Sequence, residues 1–109
     1  MLDSLFGNKT SERVLLYLQN YGEGYPTEIA RNFGIAQSQV QKQLTRLEQG
    51  GIVASQLSGR MRNYRLNPRW PYLKQLSSLL EKALLSLPRD ETMSYYRRRT
   101  RPRRPGKKL

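Results

Sequence analysis

A glycine between two short helical patterns is the feature that most constrains how this chain can fold. Pro26 suits the first turn of a helix, where its missing N–H would have no partner in any case. Ile29 and Phe33 lie four residues apart, on one apolar face. Gly34 then favours a helix end, because glycine readily adopts the positive φ that follows a last helical turn. The chain is therefore expected to turn sharply after Phe33 and to begin a second helix almost at once.

The second helical pattern, residues 36–49, has one apolar face and one polar face. Val40, Leu44 and Leu47 recur at the spacing of a helical core stripe. The remaining side chains include amides, hydroxyls and cations that can bind base edges and phosphates, namely Gln37, Ser38, Gln39, Gln41, Lys42, Thr45 and Arg46. A solvated surface is the alternative, but such surfaces usually mix Glu with Lys, and here only Glu48 is acidic. We therefore predict a DNA-recognition helix that lies in the major groove.

Two strand-like runs follow a glycine pair. Residues 52–57 and 61–66 flank a turn signal around Gly59, which predicts a β-hairpin. Arg60 and Arg62 lie at its tip, and arginines on a narrow hairpin can enter a minor groove, where negative potential is concentrated. We predict that both arginines bind a minor groove or phosphates. The alternative is that they only keep an exposed loop soluble.

The starts of the two helical patterns are a further place for phosphate contacts. Helix N-termini bind anions through backbone N–H groups that have no partner within the helix. We therefore predict phosphate contacts at Thr27 and Gln37. Two helices, a tight turn and a basic hairpin together predict a winged helix-turn-helix, a mainly α fold with a small β-hairpin (α+β).

The same stretch resembles the ArsR-like winged-helix transcriptional regulators. The resemblance spans most of residues 10–85 and lies in Glu28-Ile29-Ala30, Phe33-Gly34-Ile35, Gln37-Ser38-Gln39-Val40, Leu44, Leu47-Glu48, Gly50-Gly51-Ile52-Val53 and Gly59-Arg60 with Tyr64-Arg65-Leu66-Asn67-Pro68. The chain departs from the family pattern at Ala36, where a capping Ser is usual. The resemblance implies a DNA-binding regulator. It also implies an alternative function, a winged-helix interaction partner of a nucleotidyltransferase-type protein.

The charge of the chain points to a polyanionic partner. The net charge is +12, from 20 Lys and Arg against 8 Asp and Glu. Residues 89–109 hold nine of the basic residues and two of the acidic ones. We predict that the fold ends at Pro88 and that a disordered basic tail follows, in which Arg97, Arg98 and Arg99 bind phosphates. RNA binding through this tail and binding to an acidic protein are the alternatives.

A leucine-rich helix is predicted over residues 72–87. Its leucines follow the spacing of a heptad seam, and a domain of this size has difficulty covering so much leucine alone. We therefore predict a homodimer in which this helix is assisted by the first helix of the chain. The expected interface residues are Leu15, Leu16, Leu73, Leu76, Leu80, Ala83, Leu84 and Leu87. Packing of the helix on its own domain is the alternative.

The predicted organisation has four parts: a lead-in over residues 1–9, the winged helix-turn-helix over 10–70, a dimerisation helix over 71–88 and the basic tail over 89–109. No run approaches the roughly 18 apolar residues of a membrane helix, so a soluble, cytoplasmic, nucleoid-associated protein is expected. The chain has no Cys and no His, and no phosphate-binding loop or nucleophile–base pair. We expect no metal, no cofactor and no enzyme activity. The expected function is sequence-specific binding of double-stranded DNA by a homodimeric repressor.

Overall fold

The computed structural model describes residues 1–97, which form six helices and one antiparallel hairpin. In chain order the elements are α1 (Asp3–Phe6), α2 (Lys9–Tyr21), α3 (Pro26–Phe33), α4 (Gln37–Gln49), β1 (Val53–Ser58), β2 (Met61–Leu66), α5 (Leu73–Ser86) and α6 (Arg89–Tyr95). The predicted winged helix-turn-helix is confirmed: α3 and α4 are its two helices, and the hairpin of β1 and β2 is its wing.

The turn between α3 and α4 depends on Gly34. Its φ is +67°, a left-handed conformation in which any larger residue would be strained. Its N–H bonds to the last turn of α3, and the N–H of Ile35 bonds to the carbonyl of Ala30 at 3.1 Å. Ala36 occupies the N-cap of α4 with extended backbone and has no side-chain capping bond. The start of α4 therefore keeps backbone N–H groups that no side chain of residues 1–97 caps.

The wing is tied to the loop that precedes the helix-turn-helix. β1 and β2 pair from Val53 with Leu66 to Ser58 with Met61. Gly24 also pairs with Tyr64, through two backbone bonds of 3.0 and 2.9 Å. A Cβ at Gly24 would lie 2.6 Å from the ring of Tyr17, so a glycine is required at this close approach. The sequence analysis did not predict this contact.

The core is built around α2. Val14, Leu15, Leu16 and Leu18 are each at most 1% exposed, because α1, α3, α4, α5 and the wing surround the helix. An N-terminal helix that is apolar on more than one side is therefore covered by the chain's own elements.

The predicted dimer seam lies within this core. Leu15, Leu16, Leu80, Ala83 and Leu84 are at most 6% exposed, and the other three residues assigned to the seam are half-buried: Leu73, Leu76 and Leu87. A heptad spacing identifies the apolar face of a helix but not what that face packs on. Here it packs on α2. Seven of the eight residues, all but Leu73, belong to the core or pack against it, and the five buried ones offer little surface to a partner.

The lead-in is folded as well. Asn8 caps α2, since its Oδ1 accepts a 2.8 Å hydrogen bond from the N–H of Ser11. Glu12 is only 4% exposed and accepts a 2.9 Å hydrogen bond from the N–H of Leu2. The bond from Leu2, the N-cap of α1, to Glu12 holds α1 against the start of α2.

The fold does not end at Pro88, as the sequence analysis expected. After α6, Tyr96 is 2% exposed and meets the ring of Phe33 edge-on at 5.6 Å between centroids. The ring of Tyr95 lies 5.3 Å from that of Phe33, and the guanidinium of Arg13 lies over both rings. The prediction of a disordered segment from Arg89 onwards is therefore wrong up to residue 97. Residues 98–109 lie outside the described residues.

Hydrogen bonds from α2 and α3 hold the backbone that follows α6. The Tyr21 hydroxyl donates to the carbonyl of Tyr95 at 3.1 Å and accepts from the N–H of Arg97 at 2.9 Å. Asn32 Nδ2 donates to the carbonyl of Tyr95 at 3.0 Å, and Asn20 Nδ2 donates to that of Arg97 at 3.2 Å. This segment is therefore anchored by both aromatic packing and satisfied backbone groups.

Two truncations test this C-terminal anchor. Deleting residues 98–109 is expected to leave the melting temperature unchanged, because the last side chain of the described core is Tyr96. Deleting residues 95–109 is expected to cost roughly 3–5 kcal/mol of unfolding free energy, the usual cost of removing a buried aromatic side chain. Thermal denaturation measures the first and urea denaturation the second. Tyr96→Ala in the full chain is the control and should reproduce most of the loss; equal stability of the two truncations would contradict the anchor.

Candidate nucleic-acid interface

The polar face of α4 is exposed to solvent. Val40, Leu44 and Leu47 are at most 4% exposed and hold the opposite face in the core. Six of the predicted DNA-binding residues on α4 are exposed: Gln37, Ser38, Gln39, Lys42, Thr45 and Arg46. The first turn of α4 contains no acidic residue. The helix therefore presents amide, hydroxyl and ammonium groups with no carboxylate among them.

A notch of about 380 Å³ lies between this helix and the wing. It is lined by residues from the starts of α3 and α4 and from the hairpin, namely Pro26, Thr27, Gln37, Gln41, Arg60, Met61, Arg62 and Tyr64. Five of these were predicted from the sequence to bind DNA. The tertiary structure thus brings together residues that are up to 35 positions apart in the chain.

Gln41 lies at the junction of α4 and the wing. Its Nε2 donates to the hydroxyl of Tyr64 at 3.1 Å and to Thr45 Oγ1 at 3.3 Å. The Tyr64 side chain is 3% exposed. Gln41 is therefore partly used to hold the wing against α4, which the helical wheel alone did not indicate. Its Oε1 has no partner among residues 1–97 and remains an acceptor beside the notch.

The wing is uniformly basic. Residues 52–69 contain four arginines and no acidic residue. Arg60 is exposed at the tip, whereas Arg62 donates a 3.0 Å hydrogen bond from Nη1 to Ser55 Oγ. Ser55 Oγ in turn donates to Glu48 Oε2 at 2.6 Å. This chain of contacts holds Arg62 near the end of α4 and leaves Arg60 as the freer cation.

Arg46 does not face the notch. Its Nη2 donates to the carbonyl of Phe6 at 3.0 Å and also to Ser11 Oγ, and its Nε donates to Gln43 Oε1 at 3.0 Å. Gln43 is 9% exposed and also accepts from Asn8 Nδ2 at 3.2 Å. The predicted major-groove contact of Arg46 is therefore replaced by a polar network that fixes the back of α4 to α1 and α2. Because this long side chain reaches residues distant in sequence, the helical period could not reveal its direction.

The predicted tail residues are described only at their start. Arg97 is exposed, and its backbone is held by α2. Arg98 and Arg99 lie outside the described residues.

Two tyrosines behind the interface, Tyr17 and Tyr96, have the largest pKa shifts. Burial raises the pKa of Tyr17 to about 12, with a smaller contribution from the Glu28 carboxylate. Burial also raises the pKa of Tyr96. A phenol whose pKa is higher in the folded chain stabilises the fold fully below its unfolded pKa of about 10, and this stability is lost as the pH rises from there. Both rings therefore remain neutral structural groups at neutral pH.

Two kinds of site are not found in the described part of the chain. Within residues 1–97 no group of three or more His, Cys, Asp or Glu is placed to hold a metal ion. None of the helices described is long and apolar enough to cross a membrane.

Comparison with known proteins agrees with this architecture. Residues 8–55 match the family model described as bacterial regulatory protein, arsR family. The solved AntR antimony-specific transcriptional repressor is 26% identical, covers 78% of this chain and 78% of its own, and superposes with a TM-score of 0.58. The YusO protein from Bacillus subtilis is 21% identical, covers 83% of this chain and 70% of its own, and has a TM-score of 0.58. No curated protein sequence matches the chain significantly.

A third structural neighbour is a MarR family transcriptional regulator, SPO1453 from Silicibacter pomeroyi DSS-3. It is 18% identical, covers 77% of this chain and 60% of its own, and has a TM-score of 0.57. The family match runs from the cap of α2 into β1 and so contains the whole helix-turn-helix. Since the matched family is one of regulatory proteins, the prediction that the chain is not an enzyme is confirmed. Over residues 8–55 the chain thus resembles the arsR family of bacterial regulatory proteins, and its fold is a winged helix-turn-helix.

Proposed function

We propose that the protein binds double-stranded DNA sequence-specifically and acts as a homodimeric transcriptional repressor. The observation that carries the proposal is the notch in which the starts of α3 and α4 meet the arginines of the wing. The partner has to be long and polyanionic, because the protruding polar helix and the basic hairpin lie side by side. Duplex DNA offers a major groove for the helix and an adjacent minor groove for the hairpin.

Each part of the site has a separate task in this proposal. Ser38, Gln39 and Lys42 are exposed on α4 and bind base edges in the major groove. Gln41 offers its free Oε1 to a base amino group, while its Nε2 stays on Tyr64. The backbone N–H groups at Thr27 and Gln37, together with the wing arginines, bind the phosphates that flank the site.

Two observations favour duplex DNA over the alternatives. RNA binding through the end of the chain would use Tyr95 and Tyr96 for stacking, but Tyr96 is 2% exposed and both rings pack on Phe33. A nucleotidyltransferase-type partner would face the wing, whose four arginines without an acidic residue over residues 52–69 favour a polyanion instead. The protein-partner alternative is tested by duplex affinity and its salt dependence.

The proposed dimer surface is the outer face of α5. Tyr72, Leu79 and Leu85 are 64%, 36% and 71% exposed and point away from the core. Leu5 on α1 is 65% exposed and is a further apolar contribution. These residues replace the buried seam predicted from the sequence. Two copies joined here would present two α4 helices to half-sites about 34–36 Å apart.

Repression is proposed because the AntR relative is described as a transcriptional repressor. Its antimony specificity does not extend to this chain, which has neither Cys nor His to bind a soft metal ion. Residues 98–109 contain seven Lys and Arg and no acidic residue, and would add phosphate contacts that do not depend on base sequence. Binding along the nucleoid follows from this non-specific affinity.

The recognition helix is tested by single alanine substitutions. Against a site selected from a random duplex pool, Ser38→Ala and Lys42→Ala are each expected to cost about 1–3 kcal/mol of binding free energy if the residue reads a base. Fluorescence anisotropy with the selected and a scrambled duplex measures the loss. Arg46→Ala should lower the melting temperature through its lost contacts to α1 and α2.

Lys74→Ala is the matched control for Lys42→Ala, because Lys74 is an exposed lysine at the start of α5 that does not line the notch. It should leave discrimination between the two duplexes intact. The proposed base reading is disproved if Ser38→Ala and Lys42→Ala bind both duplexes as the unmodified protein does.

The dimer surface is tested by charge insertion. Leu79→Glu and Leu85→Glu are expected to give folded monomers, because a carboxylate would be desolvated at the interface without a partner. Sedimentation at about tens of micromolar separates monomer from dimer. Leu57→Glu, at an equally exposed leucine on the wing, is the control and should leave the dimer intact. A monomeric unmodified protein under these conditions would remove the homodimer proposal.

A further inference from the structure

Two large apolar side chains are exposed at the tip of the wing. Leu57 is 59% exposed and Met61 is 43% exposed, and neither belongs to the hydrophobic core or packs against it. Elsewhere in the same hairpin, Val53 and Tyr64 are at most 3% exposed. The apolar residues near the base of the wing thus pack in the core, whereas those at its tip do not.

The pairing of the strands distributes these groups over both faces of the tip. Leu57 lies opposite Arg62, and Met61 lies opposite Ser58. Directly opposed residues share a face and neighbours along a strand alternate, so Leu57 and Met61 lie on opposite faces. Arg60 stands in the two-residue loop between the strands. The tip is therefore a narrow hairpin with one apolar side chain on each face and arginines around them.

The charge of this segment restricts what can cover the apolar side chains. Residues 52–69 carry four arginines without a single acidic residue. A second copy of the same tip would be repelled by like charge. The minor groove of DNA fits both properties, since its negative potential attracts arginine, while its sugar walls and base-step edges accept apolar side chains.

We propose that Leu57 and Met61 form an apolar wedge that enters the minor groove beside the sequence read by α4 and opens a base step there. The inference rests on the proposed DNA binding and adds a second source of specificity to it. Opening a step costs least at flexible pyrimidine–purine steps such as TA and CA/TG. The wedge therefore selects DNA by its deformability, at a position that no hydrogen bond reads.

The wing is held firmly enough to act in this way. Met61 lines the same notch as Gln37 and Gln41 at the start of α4, so the tip and the recognition helix face one partner. The base of the hairpin is fixed by the two backbone bonds between Tyr64 and Gly24 and by the 3.1 Å bond from Gln41 to the Tyr64 hydroxyl. Because the hairpin is anchored to two other elements, its tip can deform the DNA without being displaced itself.

The experiment compares DNA bending and step preference in four variants of the full chain. Duplexes carry the selected site and either a TA step or a stiff A-tract at the position facing the wing, with donor and acceptor dyes at their ends. Met61→Ala and Leu57→Ala remove the wedge. Met93→Ala is the matched control, because Met93 is 62% exposed on α6. Arg60→Ala removes charge at the tip but no apolar group.

We expect the unmodified protein to bend the TA duplex and to prefer it to the A-tract duplex. Met61→Ala and Leu57→Ala should each reduce the bend and weaken binding to the TA duplex about tenfold, the order expected for losing one buried apolar side chain. Their slope of log affinity against log salt should not change, since no phosphate contact is lost. Arg60→Ala should make that slope shallower by about 0.9. Met93→Ala should behave as the unmodified protein.

Three results separate failure of the wedge from failure of DNA binding. If the unmodified protein binds no duplex, the proposed function fails and the wedge fails with it. If it binds, but Met61→Ala and Leu57→Ala bend and discriminate as it does, the wedge alone is overturned. If those two variants change the sedimentation coefficient instead, the tip is a protein contact and the inference is wrong. Because both side chains are exposed, unchanged melting temperatures will show that the variants are folded.

Discussion

The geometry of the interface depends on how Tyr64 is held. Its backbone exchanges two hydrogen bonds with Gly24, its hydroxyl accepts from Gln41, and its ring is 3% exposed. The loop before α3, the recognition helix and the wing therefore meet at one buried residue. Without this junction the hairpin would be a two-stranded ribbon of marginal stability, because only Val53, Tyr64 and Leu66 of its two strands pack on the core. The notch exists because the three elements are fixed relative to one another.

A second set of contacts fixes the recognition helix from behind. Arg46 and Gln43 connect α4 to Ser11, Asn8 and the carbonyl of Phe6. This network is partly buried and joins three helices, so α4 cannot rotate without breaking these hydrogen bonds. The helix is thus held on one side by polar bonds and apolar packing, while its other side remains free for a partner. Such a helix, held on one side and exposed on the other, is suited to a fixed orientation in a DNA groove.

Periodic and local features were predictable in detail. The stripe of Val40, Leu44 and Leu47 and the stop at Gly34 located the helix-turn-helix, because both depend on neighbouring residues alone. The outward direction of Ser38 and Lys42 followed from the same stripe. Arg46 shows the limit of this reasoning. The helical period gives the position of its Cβ, but its guanidinium is directed by hydrogen-bond acceptors on Phe6 and Ser11. Those acceptors come from α1 and α2, which no local pattern connects to α4.

The sequence by itself determined the order of the elements from α2 to α5, the helix-turn-helix, the basic hairpin and the polar surface of α4. These follow from helical and strand periods, glycine conformations and charge, which are local properties. Only the tertiary structure decided what each apolar face packs on. The seam of Leu80, Ala83 and Leu84 covers α2 rather than a second chain, and Tyr96 continues the core past Pro88. The spacing of apolar residues shows that one face of a helix must be buried. The packing of the whole domain decides which surface covers that face.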